Sequence, residues 1–96
     1  MKLGMLEIAV TELLEAIRYY NEQREGLGYE LASEFKNVIF RIMDFPEAWP
    51  RLSARSRRCL MNRFPYAVLY RYDNGHLLIV AFMNMSRDPR RWQDRI

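Results

Sequence analysis

Ninety-six residues, half of them hydrophobic and 14% aromatic, are enough for one domain with a continuous core, and they exclude a disordered chain. No apolar run is long enough to span a membrane, the stretch Met1-Lys2-Leu3-Gly4-Met5 lacks the features of a signal peptide, and a single cysteine forms no internal disulfide. The net charge of +3 hides an asymmetry: residues 1–50 sum to −4, whereas residues 51–96 sum to +7 and draw every basic side chain from arginine. These features predict one domain over 1–96, a cytoplasmic location, no membrane partner, and an anionic partner for the basic half.

Residues 2–6 read as a short edge strand, weakened by Gly4. Over residues 7–23, Ala9, Leu13, Ile17 and Tyr20 recur at helical spacing, and Leu14 and Ala16 widen the stripe. Glu12, Glu15, Arg18 and Glu22 fall on the opposite side. Gly26-Leu27-Gly28 punctuates the end of this helix. A second helix over residues 29–44 carries Leu31, Ala32, Phe35, Val38, Ile39, Ile42 and Met43, and Pro46 ends it. The short connection makes the pair an antiparallel hairpin that cannot bury its apolar stripes alone.

After Pro50 the period changes. Residues 51–56 form a polar loop, 57–63 a strand with imperfect alternation, and Phe64-Pro65 a turn or bulge. Residues 66–72 are rich in aromatic and β-branched side chains, and Asp73-Asn74-Gly75 is a strong hairpin signal. Residues 76–85 are nearly all apolar, as in a central strand covered by helices. The tail, 86–96, carries Arg87, Arg90, Arg91 and Arg95 around Pro89 and Trp92. The expected fold class is α+β, an N-terminal helical hairpin packed on a small antiparallel sheet.

The inventory of reactive groups is short. No glycine-rich phosphate loop, Cys-x-x-Cys pair or metal-ligand grouping occurs, so no cofactor or metal is expected. His76 follows the Asn-Gly turn, where exposure is the rule, and Cys59 reads as a small core residue. The remaining candidates are arginines and aromatics. Arg58, Arg63, Arg71, Arg87 and Arg90 come from strands or the tail, and a guanidinium clamps phosphate or carboxylate without acting as a base. Tyr66 and Trp92 serve either stacking or the core.

Taken in order, several pieces resemble one family. They are Glu12-Leu13-Leu14-Glu15-Ala16-Ile17 with Tyr19-Tyr20, Gly26-Leu27-Gly28, Phe45-Pro46 with Trp49-Pro50, Arg57-Arg58-Cys59-Leu60, Arg63-Phe64-Pro65-Tyr66, and Arg87-Asp88-Pro89 with Trp92. Over nearly the whole chain they resemble the ParE/RelE superfamily of toxins from type II toxin–antitoxin modules, most of all its ParE-like, plasmid-stabilisation branch.

The resemblance implies two helices against a curled antiparallel sheet. It also implies a cognate, ParD-like antitoxin that wraps the toxin with apolar and acidic side chains, bound through Arg58, Arg63, Arg71, Arg87, Arg90 and Trp92. ParE-like relatives inhibit DNA gyrase without being enzymes. RelE-like relatives are metal-independent endoribonucleases that cut mRNA on the ribosome, a role that would fall to Arg58, Arg87 and Trp92; a third alternative is a non-toxic relative that only binds antitoxin. The RelE-type Tyr-Arg-x-x-Tyr stretch corresponds to Tyr66-Ala67-Val68-Leu69-Tyr70, with Ala67 at the position of the arginine. Asn84 and Ser86 also stand where many ParE-like relatives have histidine and a basic residue. The apolar surface of the hairpin predicts self-association when antitoxin is absent, or a hetero-oligomer with it.

Overall fold

The computed structural model describes residues 1–96. A short strand β1 (Lys2–Met5) leads into helix α1 (Glu7–Gln23), which turns back as α2 (Leu27–Asp44). Three further strands follow, β2 (Arg57–Leu60), β3 (Tyr66–Asp73) and β4 (His76–Asn84), and a 3-10 helix, η1 (Pro89–Arg95), ends the chain. The sheet order is β1-β4-β3-β2. The helical hairpin covers one face of this sheet and η1 lies on the other.

The α1 boundaries agree with the periodicity, and Ala9 and Ala16 are buried where expected. Leu14 is 59% exposed and does not widen the core stripe. The glycines act differently from simple helix punctuation. Arg24 caps α1, and Gly26 begins α2 at a left-handed φ of 86°. Gly28 lies inside the first turn of α2 and lets the two helices touch: a Cβ there would stand 2.0 Å from the Ile17 carbonyl oxygen. Its N–H donates to Asn21 Oδ1 at 2.7 Å, so the hairpin is fastened where it is closest.

The sheet is mixed rather than wholly antiparallel. β2, β3 and β4 pair antiparallel, but β1 runs parallel to β4, with Met5 opposite Ile79. A purely local reading expects neighbouring strands to be joined by hairpins, whereas here the helices, β2 and β3 intervene between β1 and β4. Asn74 (φ 49°) and Gly75 (φ 76°) both adopt positive φ, as a two-residue type I′ hairpin requires.

β2 ends at Leu60 instead of running to residue 63. The N–H groups of Asn62 and Arg63 donate to the Glu34 carboxylate of α2 rather than to a strand, while Met61 N–H still reaches the Tyr66 carbonyl. The β3–β4 register shifts between Leu69 and Tyr70, leaving Val80 as an extra residue that turns the rest of β4.

Two cores result. Fifteen buried residues, including Leu31, Val38, Ile42, Val68, Tyr70, Ile79 and Phe82, fill the space between helices and sheet. Six more, Ala67, Leu69, Val80, Ala81, Met83 and Trp92, form the layer on the other face. Cys59 is buried, and burial pushes its thiol pKa up, as suits a packing residue.

Candidate functional site

A groove of about 490 Å³ runs where α1, the start of β3, the end of β4 and η1 meet. Tyr66 and Phe82 stack in parallel at 4.6 Å, because Tyr66 pairs with Asn84 and Val68 with Phe82 on adjacent strands. Tyr20 meets the Tyr66 ring edge-on at 6.2 Å and Phe64 at 5.0 Å, and Tyr19 packs edge-on against Tyr20 at 5.1 Å. Arg18, Arg87 and Arg91 also line the groove, and none of the three forms an ion pair. A patch of stacked aromatics beside unpaired cations suits an anionic partner that also brings apolar anchors.

The turn after β4 positions Arg87. Asn84 Oδ1 accepts from Ser86 N–H at 2.9 Å, and the Asn84 carbonyl accepts from Arg87 N–H at 3.1 Å. Asn84 thus ends the strand and shapes the turn. Burial raises the pKa of the Tyr66 phenol, the neighbouring Tyr20 adds to this, and the Arg87 guanidinium partly opposes it. Tyr66 is therefore a neutral donor near pH 7, poised beside a fixed positive charge.

Trp92 is only 3% exposed, and its indole N–H donates to Glu12 Oε2 at 2.9 Å. Glu12 also accepts from Phe82 N–H (3.1 Å) and from both terminal nitrogens of Arg95 (2.9 and 2.8 Å). Arg95 in turn reaches the Val80 carbonyl at 3.0 Å. The reason lies in the sheet. β1 stops opposite Ile79, so the later part of β4 lacks a neighbouring strand on that side, and the Glu12–Arg95 pair takes up its free N–H and C=O. Glu12 does not face solvent opposite the apolar stripe. It lies three residues after Ala9 and four before Ala16, two buried small residues that mark its side of the helix as close to the sheet.

The arginines singled out from the sequence occupy several places. Arg87 lies in the groove, and Trp92 forms part of its wall. Arg63, in the β2–β3 loop, ion-pairs with Glu30 at 2.7 Å and holds that carboxyl below its usual pKa. Arg90 is exposed and engaged with Asp88, whose carboxylate also accepts Arg90 N–H at the start of η1. Arg71, further along β3, donates to the Arg95 carbonyl at 2.9 Å. Arg58 stands on β2 opposite Leu69, and Ala67 is fully buried in the layer under η1. Helical spacing alone did not single out Arg18, Tyr19 and Arg91 as groove residues; the tyrosine pair beside Arg18 was the available signal.

No protein-family model and no curated protein sequence matches the chain. Among solved structures, the fold is shared with a chain from the chromosomal ParDE TA system of P. aeruginosa, at a TM-score of 0.77 and 12% identity. The match covers 88% of this chain and 95% of that one, so nearly the whole α+β arrangement is common to both. The protein thus has a ParE-like fold: a helical hairpin over one face of a curled four-stranded sheet and a tail across the other.

Proposed function

We propose that this chain is the toxin component of a type II toxin–antitoxin module, a ParE-like protein of the cytoplasm that inhibits DNA gyrase by binding it and is neutralised by a cognate ParD-like antitoxin. The observation carrying this reading is the likeness in fold to a ParDE chain over 88% of the sequence. The groove adds chemical support. Its aromatic floor and unpaired Arg18, Arg87 and Arg91 suit an antitoxin segment with apolar anchors and acidic side chains. Among the sequence candidates, Arg87, which lines the groove, is the strongest contact, whereas Arg58 and Arg71 lie outside its lining. Arg63 and Arg90 already hold carboxylate partners and contribute less. Trp92 shapes the wall.

The endoribonuclease alternative has less behind it. Metal-free phosphodiester cleavage needs several groups acting on one phosphate. Ala67 supplies no cation, the Trp92 N–H is committed to Glu12, and Arg58 and Arg87 belong to opposite sides of the β3–β4 pair.

Pulse-labelling after induced expression in a bacterial host tests the reading. Early loss of DNA synthesis with a DNA-damage response is expected; early loss of translation instead would overturn gyrase inhibition in favour of mRNA cleavage. Arg87→Glu is expected to weaken the antitoxin complex about tenfold or more, the scale of a charge-assisted contact turned repulsive. Unchanged affinity would remove the groove from the interface.

A further inference from the structure

At the other end of β3 a cleft of about 470 Å³ opens between the segment that follows α2 and the sheet. Arg51, Arg55, Arg57 and Arg71 line it, with Glu47 and Asp73. None of the four guanidiniums belongs to an ion pair. Three are oriented instead by main-chain carbonyls: Arg57 donates to Trp49 at 2.8 Å, Arg51 to Ala54 at 2.9 Å, and Arg71 to Arg95 at 2.9 Å. Such bonds hold the planar forks in position without neutralising them. The Nε of Arg71 is also shut off from solvent and has no acceptor. Four guanidiniums against two carboxylates, none of them joined in an ion pair, leave the cleft with an excess of positive charge, and a buried N–H without an acceptor is destabilising. The charge excess is relieved by an anion with several acceptor oxygens.

We propose that this cleft binds the phosphate group of a small hydroxyl-bearing molecule, the chemistry of a nucleotide. Guanidinium forks match phosphate oxygens two at a time, and four of them suit a multiply charged group better than a single carboxylate. The two acidic side chains in the same lining set what else the ligand carries. Glu47 and Asp73 are exposed, repel a second anionic group, and accept hydrogen bonds from hydroxyls. An acidic peptide brings carboxylates along its whole length and is opposed there. Tyr72, half-buried in the same lining, offers an aromatic wall. The volume lies in the range of small-molecule sites. The inference does not depend on the toxin reading, and its failure would leave that reading untouched.

The test is calorimetric titration of the intact chain at low salt with ADP, inorganic phosphate and a short single-stranded oligonucleotide. Saturable ADP binding is expected, tighter than that of phosphate. Arg51→Gln and Arg55→Gln, both at exposed positions, are each expected to weaken it about tenfold, while Lys36→Gln on α2 removes the same charge and leaves it within about twofold. Absence of saturable ADP binding would overturn the proposal, as would equal loss in all three variants, which marks a diffuse charge effect. Phosphate binding as tightly as ADP would remove the hydroxyl end of the argument. An oligonucleotide binding more tightly than ADP, with the same dependence on Arg51 and Arg55, would replace the small molecule by a polymer backbone.

Discussion

The two faces of the sheet are closed by different means. On one, fifteen buried residues interlock between two amphipathic helices and the strands, and the burial is overwhelmingly apolar. On the other, only six buried residues lie under the tail, and the tail is fastened by a polar cluster in which Glu12 accepts from Arg95, Trp92 and the backbone of Phe82. Many small contributions secure the helical face, so it tolerates the loss of any one; the tail face concentrates its hold in one half-buried carboxylate. A short cover that cannot bury much apolar area needs directional bonds, and those fail together when their shared acceptor is removed.

Four substitutions probe this contrast, beginning with the largest effect. Glu12→Ala strands the Arg95 guanidinium, the Trp92 indole N–H and the Phe82 N–H at once, and is expected to cost about 3–5 kcal/mol in urea unfolding. The freed tail would also make Trp92 fluorescence red-shift before the main transition. A loss below about 1 kcal/mol would mean that the tail is held by its apolar contacts alone.

Gly28→Ala is the corresponding attack on the helical side. The added methyl meets the Ile17 carbonyl, which the hairpin relieves only by spreading, at a cost of about 2–3 kcal/mol. Here the transition is expected to stay single, because the helical core unfolds as one unit. A separate early transition in this variant would erase the distinction between the faces.

Tyr70→Phe is smaller. It removes the bond from the buried phenol to the Pro46 carbonyl (2.6 Å), worth about 1 kcal/mol. It also changes the alkaline limb. Burial pushes the Tyr70 pKa from 10.0 up to about 12, so the unfolded state ionises first. The stability tied to the neutral phenol is complete below pH 10.0 and is lost as pH rises towards about 12. Unfolding at stepped alkaline pH should show a shallower decline for the Phe variant; an identical decline would assign it to other groups.

Arg63→Gln is the smallest, since its pair with Glu30 is exposed. The Arg63 hydrogen bond lowers the Glu30 pKa from 4.5, so this contribution is present above pH 4.5 and fades as pH falls through the depressed value. The variant is expected to match the parent in high salt and to differ only slightly in low salt near neutral pH.

Most of the fold could be read from local patterns. The apolar stripes of α1 and α2, the Asn74-Gly75 turn and the unbroken apolar run of β4 each follow from periodicity or backbone preference within a few neighbouring residues, and all four stand in the structure, save that Leu14 falls outside the α1 stripe. The α+β class followed from the order of these elements, and the buried Cys59 from its position in a strand. Of the site, Arg87, Tyr66 and Trp92 were legible as residue types worth attention, though not as neighbours.

What the sequence left open depends on partners far apart in the chain. Glu12 looks like any solvated helix glutamate until Arg95, 83 positions later, and the unpaired stretch of β4 are brought to it. Gly28 reads as punctuation until the Ile17 carbonyl is found against it, and β1 reads as antiparallel until the crossover sets it beside β4. The same holds for the arginines: composition predicted a basic half, but only folding sorted them into ion-paired residues, groove residues and a cleft. Local chemistry fixes which segments are helix, strand or turn, because those preferences act over neighbouring residues. Which charge meets which, and which backbone group is left for a side chain to satisfy, is settled only when distant segments are packed together.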